Sequence, residues 1–344
     1  MADEKAPSDK PSVDGVLYDV YGIGNPIMDV LVELSHEDLK LHPLKKGTFN
    51  LVTSGQLKAI QDFIKQSTLV PGGSVANTMA LFSQLGGKAA FCGKVGRDRY
   101  AQLYNDEMMK VGVTTHLRDS DVMTGTALTF ITPDKDRTFA VHLGAALHLK
   151  KEDIDIEAVK RSRYVHVAGY VLEDPNLREA ALHALAAAKE RGTKISIDCA
   201  DPALIERCRE DMLKIVTEYA DIVFANEDEA TALMGVEDPH VACNQLAKIC
   251  EIAVVKLGKK GSLIRKGNEV ACIDPFLVNA VDTTGAGDSY AAAFLFALSK
   301  GHDIETAGRL GSYIASRVVQ TLGARLPEAP DVSHILDENK EEED

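Results

Sequence analysis

What the chain lacks narrows it first. No CxxC occurs, and the six cysteines (Cys92, Cys199, Cys208, Cys243, Cys250 and Cys272) have no ligand-like pairing with histidine. Several stand in apolar runs, where a free thiol behaves as a small hydrophobe, so neither a disulfide framework nor a metal cluster of cysteines is expected. Basic residues are outnumbered, 38 against 52 acidic ones, for a formal net charge of −14. Such a surface repels phosphate backbones and argues against nucleic acid as a partner. No apolar run approaches the roughly 18 residues of a membrane span, and the N-terminus carries charge where a signal peptide would be apolar. The expectation is a cytoplasmic chain with no membrane association. Two nucleotide signatures are also missing. There is no GxxxxGK[ST], hence no P-loop. "GIGNPI" (Gly22–Ile27) lacks the third glycine of GxGxxG and the acidic partner that should follow. No internal repeat is visible.

What is present reads as an α/β protein. The 344 residues are 45% hydrophobic, enough for a sizeable core without staples. Apolar, β-branched runs at 164–168, 194–198, 221–225 and 252–256 alternate with helical patterns such as Asn176–Gly192, where Gly192 stands at the expected C′ position. Continuous apolar strands separated by helices predict a doubly wound, mostly parallel sheet covered on both faces. Two stretches break the rhythm: "IMDVLVEL" (27–34), leading into an extended piece near 48–53, and 125–143, two strand-like runs around the turn residues Pro133–Asp136. These predict a small β-sheet lid formed by about 28–53 and 118–143, within one domain over 16–336. The polar segment 1–15 and the acidic segment 337–344 are expected to be disordered tails.

Sheets of this class bind ligands beyond the carboxyl ends of their strands, and the glycine-rich motifs fall there. "DTTGAGDSYAAAF" (Asp282–Phe294) places Gly285, Ala286 and Gly287 at the mouth of a helix, where backbone N–H groups and the helix dipole suit phosphate oxygens. A carboxylate inside that nest, Asp288, makes sense as an acceptor of a hydroxyl proton; the plainer reading is a tight turn with a capping Asp. "PGGSVANT" brings Gly72 and Gly73 close to a ligand, begins a helix at Ser74 and puts Asn77 in its first turn, either for a hydroxyl-rich ligand or as an ordinary capped turn. Asn25 and Asp29 stand at the first strand's end; Asp29, in an apolar run, needs partners such as two ligand hydroxyls unless it faces water. Asn226 and Glu229 have capping-box spacing, and Glu229 could equally orient waters on magnesium. Lys256, Gly258 and Gly261 either contact nucleotide phosphates or form a solvated hairpin. Arg137 either closes over phosphoryl charge or is exposed.

Together these residues resemble the ribokinase family, the PfkB carbohydrate-kinase superfamily, from about Tyr18 to Pro330. "DTTGAGD" is similar to its C-terminal signature, "GGSVANT" with "LGG" to its N-terminal one, and "NEDE" to its NxxE element. The resemblance implies a ribokinase-like fold with a hinged lid and ATP-dependent phosphorylation of a hydroxymethyl group. It further implies Asp288 as base, an anion hole from Gly285, Ala286 and Gly287, and Asn226 with Glu229 on Mg²⁺ and phosphate. Asp29, Gly72, Gly73 and Asn77 would hold sugar hydroxyls, and Asp282 with Thr284 would match a monovalent-cation (K⁺) site. "GNPIMD", "GARLPEAPD", "HLGAAL" and "VAGYVLEDP" resemble stretches of adenosine kinases within that family. The expected activity is a nucleoside kinase acting on the 5′-hydroxyl, adenosine first. The alternatives are a sugar kinase on ribose or fructose, and a non-catalytic sensor. The expected partners are small molecules, with the chain a monomer or a homodimer.

Overall fold

Strands that are apolar along their whole length need cover on both faces, and here they have it. The computed structural model describes residues 15–64, 66–134 and 136–337; the expected tails fall outside these, apart from Gly15 and Asp337. In chain order the strands are β1 (Tyr18–Ile23), β2 (Ile27–Glu33), β3 (Phe49–Leu51), β4 (Thr68–Gly72), β5 (Ala89–Gly96), β6 (Thr114–Ser120) and β7 (Gly125–Ile131). There follow β8 (Arg137–His142), β9 (Ser162–Ala168), β10 (Lys194–Asp198), β11 (Ile222–Asn226), β12 (Ile252–Lys256), β13 (Ser262–Lys266) and β14 (Glu269–Ile273).

One nine-stranded sheet has the order β14-β13-β12-β11-β10-β9-β1-β5-β6. Its pairs from β6 to β12 are parallel, and β12-β13-β14 is an antiparallel meander at one edge. Alternation along each strand feeds two separate cores. Val20, Ile222, Phe224 and Val254 pack on one side with the helices Ser74–Gln84 and Ala286–Ser299. Tyr21, Ile23, Val223 and Val255 pack on the other with the helix Pro175–Arg191. That helix is capped by Asp174 and ends at Gly192 in the left-handed region, φ 81°.

The second sheet has the order β3-β8-β7-β2-β4. It departs from the expected lid in two ways. Residues 118–120 belong to β6 on the outer edge of the large sheet, and 68–72 form an edge strand of the small one that the sequence pattern did not reveal. On β2, Met28 and Val30 point into a core shared with Leu57 and Ile60 of the helix Ser54–Gln61. Asp29 and Leu31 point the other way, into a cavity between the two sheets. Among the described residues, no helix is long and apolar enough to cross a membrane.

Candidate active site

Two helix N-termini meet at the base of this cavity, which measures about 1440 Å³. One begins at Ser74, the other at Ala286. The approach to the second is irregular backbone, not the strand end that the sequence suggested: Leu277 and Val281 are 79% and 66% exposed. Gly285 then turns the chain at φ 75°, where an added Cβ would lie 2.7 Å from the Ala324 Cα; only glycine fits. The N–H groups of Gly285 and Gly287 take no backbone acceptor, as an anion nest requires. Ala286, expected to share that role, instead donates its N–H to the Thr283 carbonyl at 3.2 Å.

Asp288 stands in the first turn of this helix and is gripped from the opposite one. Ser74 Oγ donates to Oδ1 at 2.7 Å and Asn77 Nδ2 to Oδ2 at 3.0 Å. Burial pushes its pKa up to about 6, while the Asn77 and Ser74 hydrogen bonds and Lys256 hold it down. A carboxylate that titrates near neutrality accepts a proton efficiently.

On the small-sheet side, Asp29 faces the cavity and its carboxylate accepts no hydrogen bond. Burial pushes it up to about 7, against the nearby guanidinium groups of Arg325 and Arg137. The reason for Gly72 is local: a Cβ there would come within 2.2 Å of Asp29 Oδ2. Gly73, at φ 97°, precedes the Ser74 helix. Asn25 Oδ1 is buried beside them without a partner. Asn50, by contrast, braces its own loop through the carbonyls of Lys45, Thr48 and Phe139. Tyr170 lines the cavity, and burial raises its phenol.

On the large-sheet side, Lys256 ends β12 with Nζ 2.9 Å from Asp198 Oδ2. Burial alone would lower its pKa, but Asp198 and Glu229 outweigh that and raise it. Its Nζ lies 3.1 Å from where a Cβ of Gly287 would be, so a fixed cation borders the nest. Gly258 and Gly261 bound the short turn after β12 and line the same cavity. The antiparallel pairing of β12 and β13 makes that segment a hairpin, one end of which faces the cavity.

Asn226 and Glu229 do form a reciprocal capping box. Asn226 donates from its backbone N to Oε2 at 2.8 Å and from Nδ2 to Oε1 at 2.7 Å. Both carboxylate oxygens are thus engaged, and Glu229 is 3% exposed. Burial raises its pKa to about 7, with Lys256 opposing. Among the described residues no group of three or more His, Cys, Asp or Glu could hold a metal directly. Glu229 still lines the cavity, where a magnesium ion could be held only through its waters.

Arg137 is neither free nor exposed. From β8 it reaches Asp282 Oδ2 at 2.7 Å and donates to Thr284 Oγ1 at 3.0 Å. Asp282 also accepts from the N–H groups of Thr284 and Gly323. These donors saturate it and leave its pKa lowered despite burial. The residues expected to match a K⁺ site, Asp282 and Thr284, are thus both engaged by Arg137. Two further residues went unnoticed in the sequence: Asp198, which fixes Lys256, and Arg325, which donates from Nε to Asn77 Oδ1 at 3.0 Å. Asp198 ends a parallel strand, a position that could have marked it.

With this geometry in place, residues 53–331 match the pfkB family of carbohydrate kinases. The chain belongs to that family. An adenosine kinase from Sinorhizobium meliloti has the same fold, with a TM-score of 0.83 and 31% identity over 94% of this chain and 99% of its own. An uncharacterized sugar kinase of Archaeoglobus fulgidus is 31% identical over 72% of this chain and 99% of its own length. The adenosine kinase of Saccharomyces cerevisiae is 28% identical over 89% of this chain and 96% of its own. The pfkB-family chain is accordingly a phosphotransferase with an alcohol group as acceptor. Kinases of the family use ATP as donor, generally with Mg²⁺.

Proposed function

We propose that this pfkB-family kinase transfers the terminal phosphoryl group of ATP to the 5′-hydroxyl of a nucleoside, adenosine foremost. The observation that carries the reading is that one cavity holds Asp29, with its unpartnered carboxylate, and Asp288, gripped by Ser74 and Asn77 at the anion nest. Asp29 accepts hydrogen bonds from a pair of ribose hydroxyls, with Asn25, Gly72, Gly73 and Asn77 shaping that end. Asp288 takes the proton of the attacking hydroxyl. The N–H groups of Gly285 and Gly287 face the charge of the moving phosphoryl group, and Lys256 adds a cation at their border. Phosphoryl transfer asks mainly for such positioning and electrostatic stabilisation. Magnesium, when bound, supplies positive charge to the phosphate oxygens, and Glu229 would hold it through water, with Asn226 fixing that carboxylate. The turn at Gly258 and Gly261 borders the donor nucleotide. Arg137 ties the small sheet to the 282–284 loop and so closes the cavity over the reactants.

A nucleoside is favoured over a bare sugar by the apolar inner face of the small sheet: Leu31, Leu51, Val70 and Val141 line the cavity beside Asp29. A planar base fits such a wall; ribose alone leaves it wet. The alternative, a sugar kinase, draws support from the Archaeoglobus relative. ADP release with adenosine, inosine, ribose and fructose decides between them. The account predicts that kcat/KM is highest for the nucleosides; a preference for ribose or fructose would overturn the nucleoside assignment.

Gly72→Ala gives a local test. Its methyl group must displace the Asp29 carboxylate, a clash of the kind that costs about 1–3 kcal/mol. The expected result is a KM for acceptor raised by about tenfold or more, with the KM for ATP unchanged. Equal changes in both constants would show that Gly72 is not specific to the acceptor end.

A further inference from the structure

Arg325 lies in a loop late in the chain, 248 residues from the amide it bonds. The side chain is half-buried and lines the cavity. Its Nε donates to Asn77 Oδ1, and its Nη1 lies 3.3 Å from Met108 Sδ. Nη2 is buried and makes no hydrogen bond of good geometry; the Tyr104 phenol, which donates to the Gly72 carbonyl at 2.8 Å, is its nearest acceptor. A buried, unpaired guanidinium N–H is costly, and few such groups persist in a native fold. The half-buried Asp29 carboxylate, which faces the cavity and accepts no hydrogen bond, attracts the guanidinium electrostatically. Tyr104 offers Nη2 one acceptor at most, and an Nη group carries two hydrogens, so a donor is left over.

We propose that Arg325 has two duties at this site: the remaining N–H of its Nη2 donates to an oxygen of the acceptor beside Asp29, and its Nε orients Asn77 so that the amide NH₂ faces Asp288. The second duty follows from donor and acceptor arithmetic. Arginine has five N–H donors and no acceptor, so the Asn77 amide must turn its oxygen to Arg325. Only Nδ2 then remains for Asp288, and it donates there at 3.0 Å. Without Arg325 the amide is free to turn over and present oxygen to a carboxylate. The first duty defines the acceptor chemically. It is a vicinal diol, one hydroxyl of which both donates to Asp29 and accepts from Arg325, the pairing that a cation and a carboxylate set side by side recognise. This rests on the proposed role of Asp288 and deepens it: Arg325 is a positioning residue toward the base and a specificity-determining residue toward the acceptor.

The other charged or titratable groups facing Asp288 are Asp198 from β10, Lys256 from β12 and Tyr170 after β9. None of them contacts Asn77 through a hydrogen bond, so a change at residue 325 leaves their arrangement in place.

The test uses the full chain with Arg325→Met, which keeps most of the volume, and Arg325→Lys, which keeps the charge and loses the fork. Adenosine and 2′-deoxyadenosine are the probes. Binding is read by calorimetry and turnover across about pH 5 to 9, with thermal unfolding as the control for folding. In Arg325→Met, the Kd for adenosine should rise by about 10–100-fold, the usual effect of losing a charged hydrogen bond. Discrimination against 2′-deoxyadenosine should shrink, and the acid limb of kcat should move to higher pH. Arg325→Lys should recover part of the limb and little of the affinity. A folded Arg325→Met or Arg325→Lys variant with wild-type adenosine affinity, or with an unmoved acid limb, overturns the proposal. Should Arg325→Met not fold, Arg325→Lys decides on the same two readings. The kinase reading fails separately, if the wild-type protein binds adenosine and releases no ADP.

Discussion

Asp288→Asn should lower kcat by about 10²–10⁴-fold, the range that a positioned general base contributes. The substitution is nearly isosteric. The amide oxygen it introduces still accepts from Asn77, and the Ser74 hydroxyl, which either donates or accepts, can turn to take the new NH₂. Adenosine affinity should therefore stay within a few-fold of wild type, because the base acts on the hydroxyl proton and not on the diol. Stability should move the other way from activity. The folded-state pKa of Asp288 is raised from 3.8 to about 6 by burial. A raised pKa means that the group favours folding below its unfolded value and loses that contribution as pH rises through about 6. The ionised carboxylate therefore opposes folding at neutral pH, by roughly 3 kcal/mol for a two-unit shift. The variant should unfold at a higher temperature than the wild type at pH 8, and the two should converge below about pH 4. A variant with near-normal kcat, or one that is inactive only because it no longer folds, contradicts the assignment.

Asp29→Ala should have the second-largest effect, and at the other end of the acceptor. Its carboxylate, unpartnered within the protein, is available to accept two charge-assisted hydrogen bonds from a diol. At about 1.5–3 kcal/mol each, their loss lowers kcat/KM for adenosine by roughly 10²–10⁴-fold. Most of that should appear in KM, since Asp288 and the anion nest are untouched. The variant should be no less stable than wild type near neutral pH, because an ionised Asp29 is itself strained by burial, which raises it to about 7. Kinetics at saturating acceptor separate the cases. A kcat that recovers most of its wild-type value supports diol binding; a kcat that stays low with KM unchanged would place Asp29 in the chemical step instead.

The contrast between these residues and the ones that sequence reading missed has a physical basis. Asp288, Gly285 and Asn226 were legible because their neighbours carry the signal: small residues at a helix mouth, and a capping pair three apart. The central strands β9 to β12 were legible because burial on both faces leaves apolar runs. β4 was not, since Pro71 interrupts "TLVPG", and proline suits only an edge strand, which is what β4 is. β6 reads "TTHLRDS", polar apart from Leu117, and its edge position lets it be so. Arg325 carries no local signal beyond its place in "GARLPEAPD". Its role exists only after folding brings it to Asn77, and no local periodicity records a contact of that separation. Arg137 shows the same limit from the other side: its position on a flap strand was readable, but its docking on Asp282 and Thr284 was not.

The central claim is that the acceptor hydroxyl meets Asp288 at the anion nest. A crystal structure of the protein with adenosine and a non-hydrolysable ATP analogue tests it most directly. The account predicts the 5′-oxygen about 2.6–3.2 Å from an Asp288 carboxylate oxygen and in line with the terminal phosphorus. The ribose hydroxyls should lie on Asp29, and the terminal phosphate on the N–H groups of Gly285 and Gly287. A nucleoside bound with its 5′-oxygen turned away from Asp288, or a terminal phosphate lying outside the nest, would contradict it.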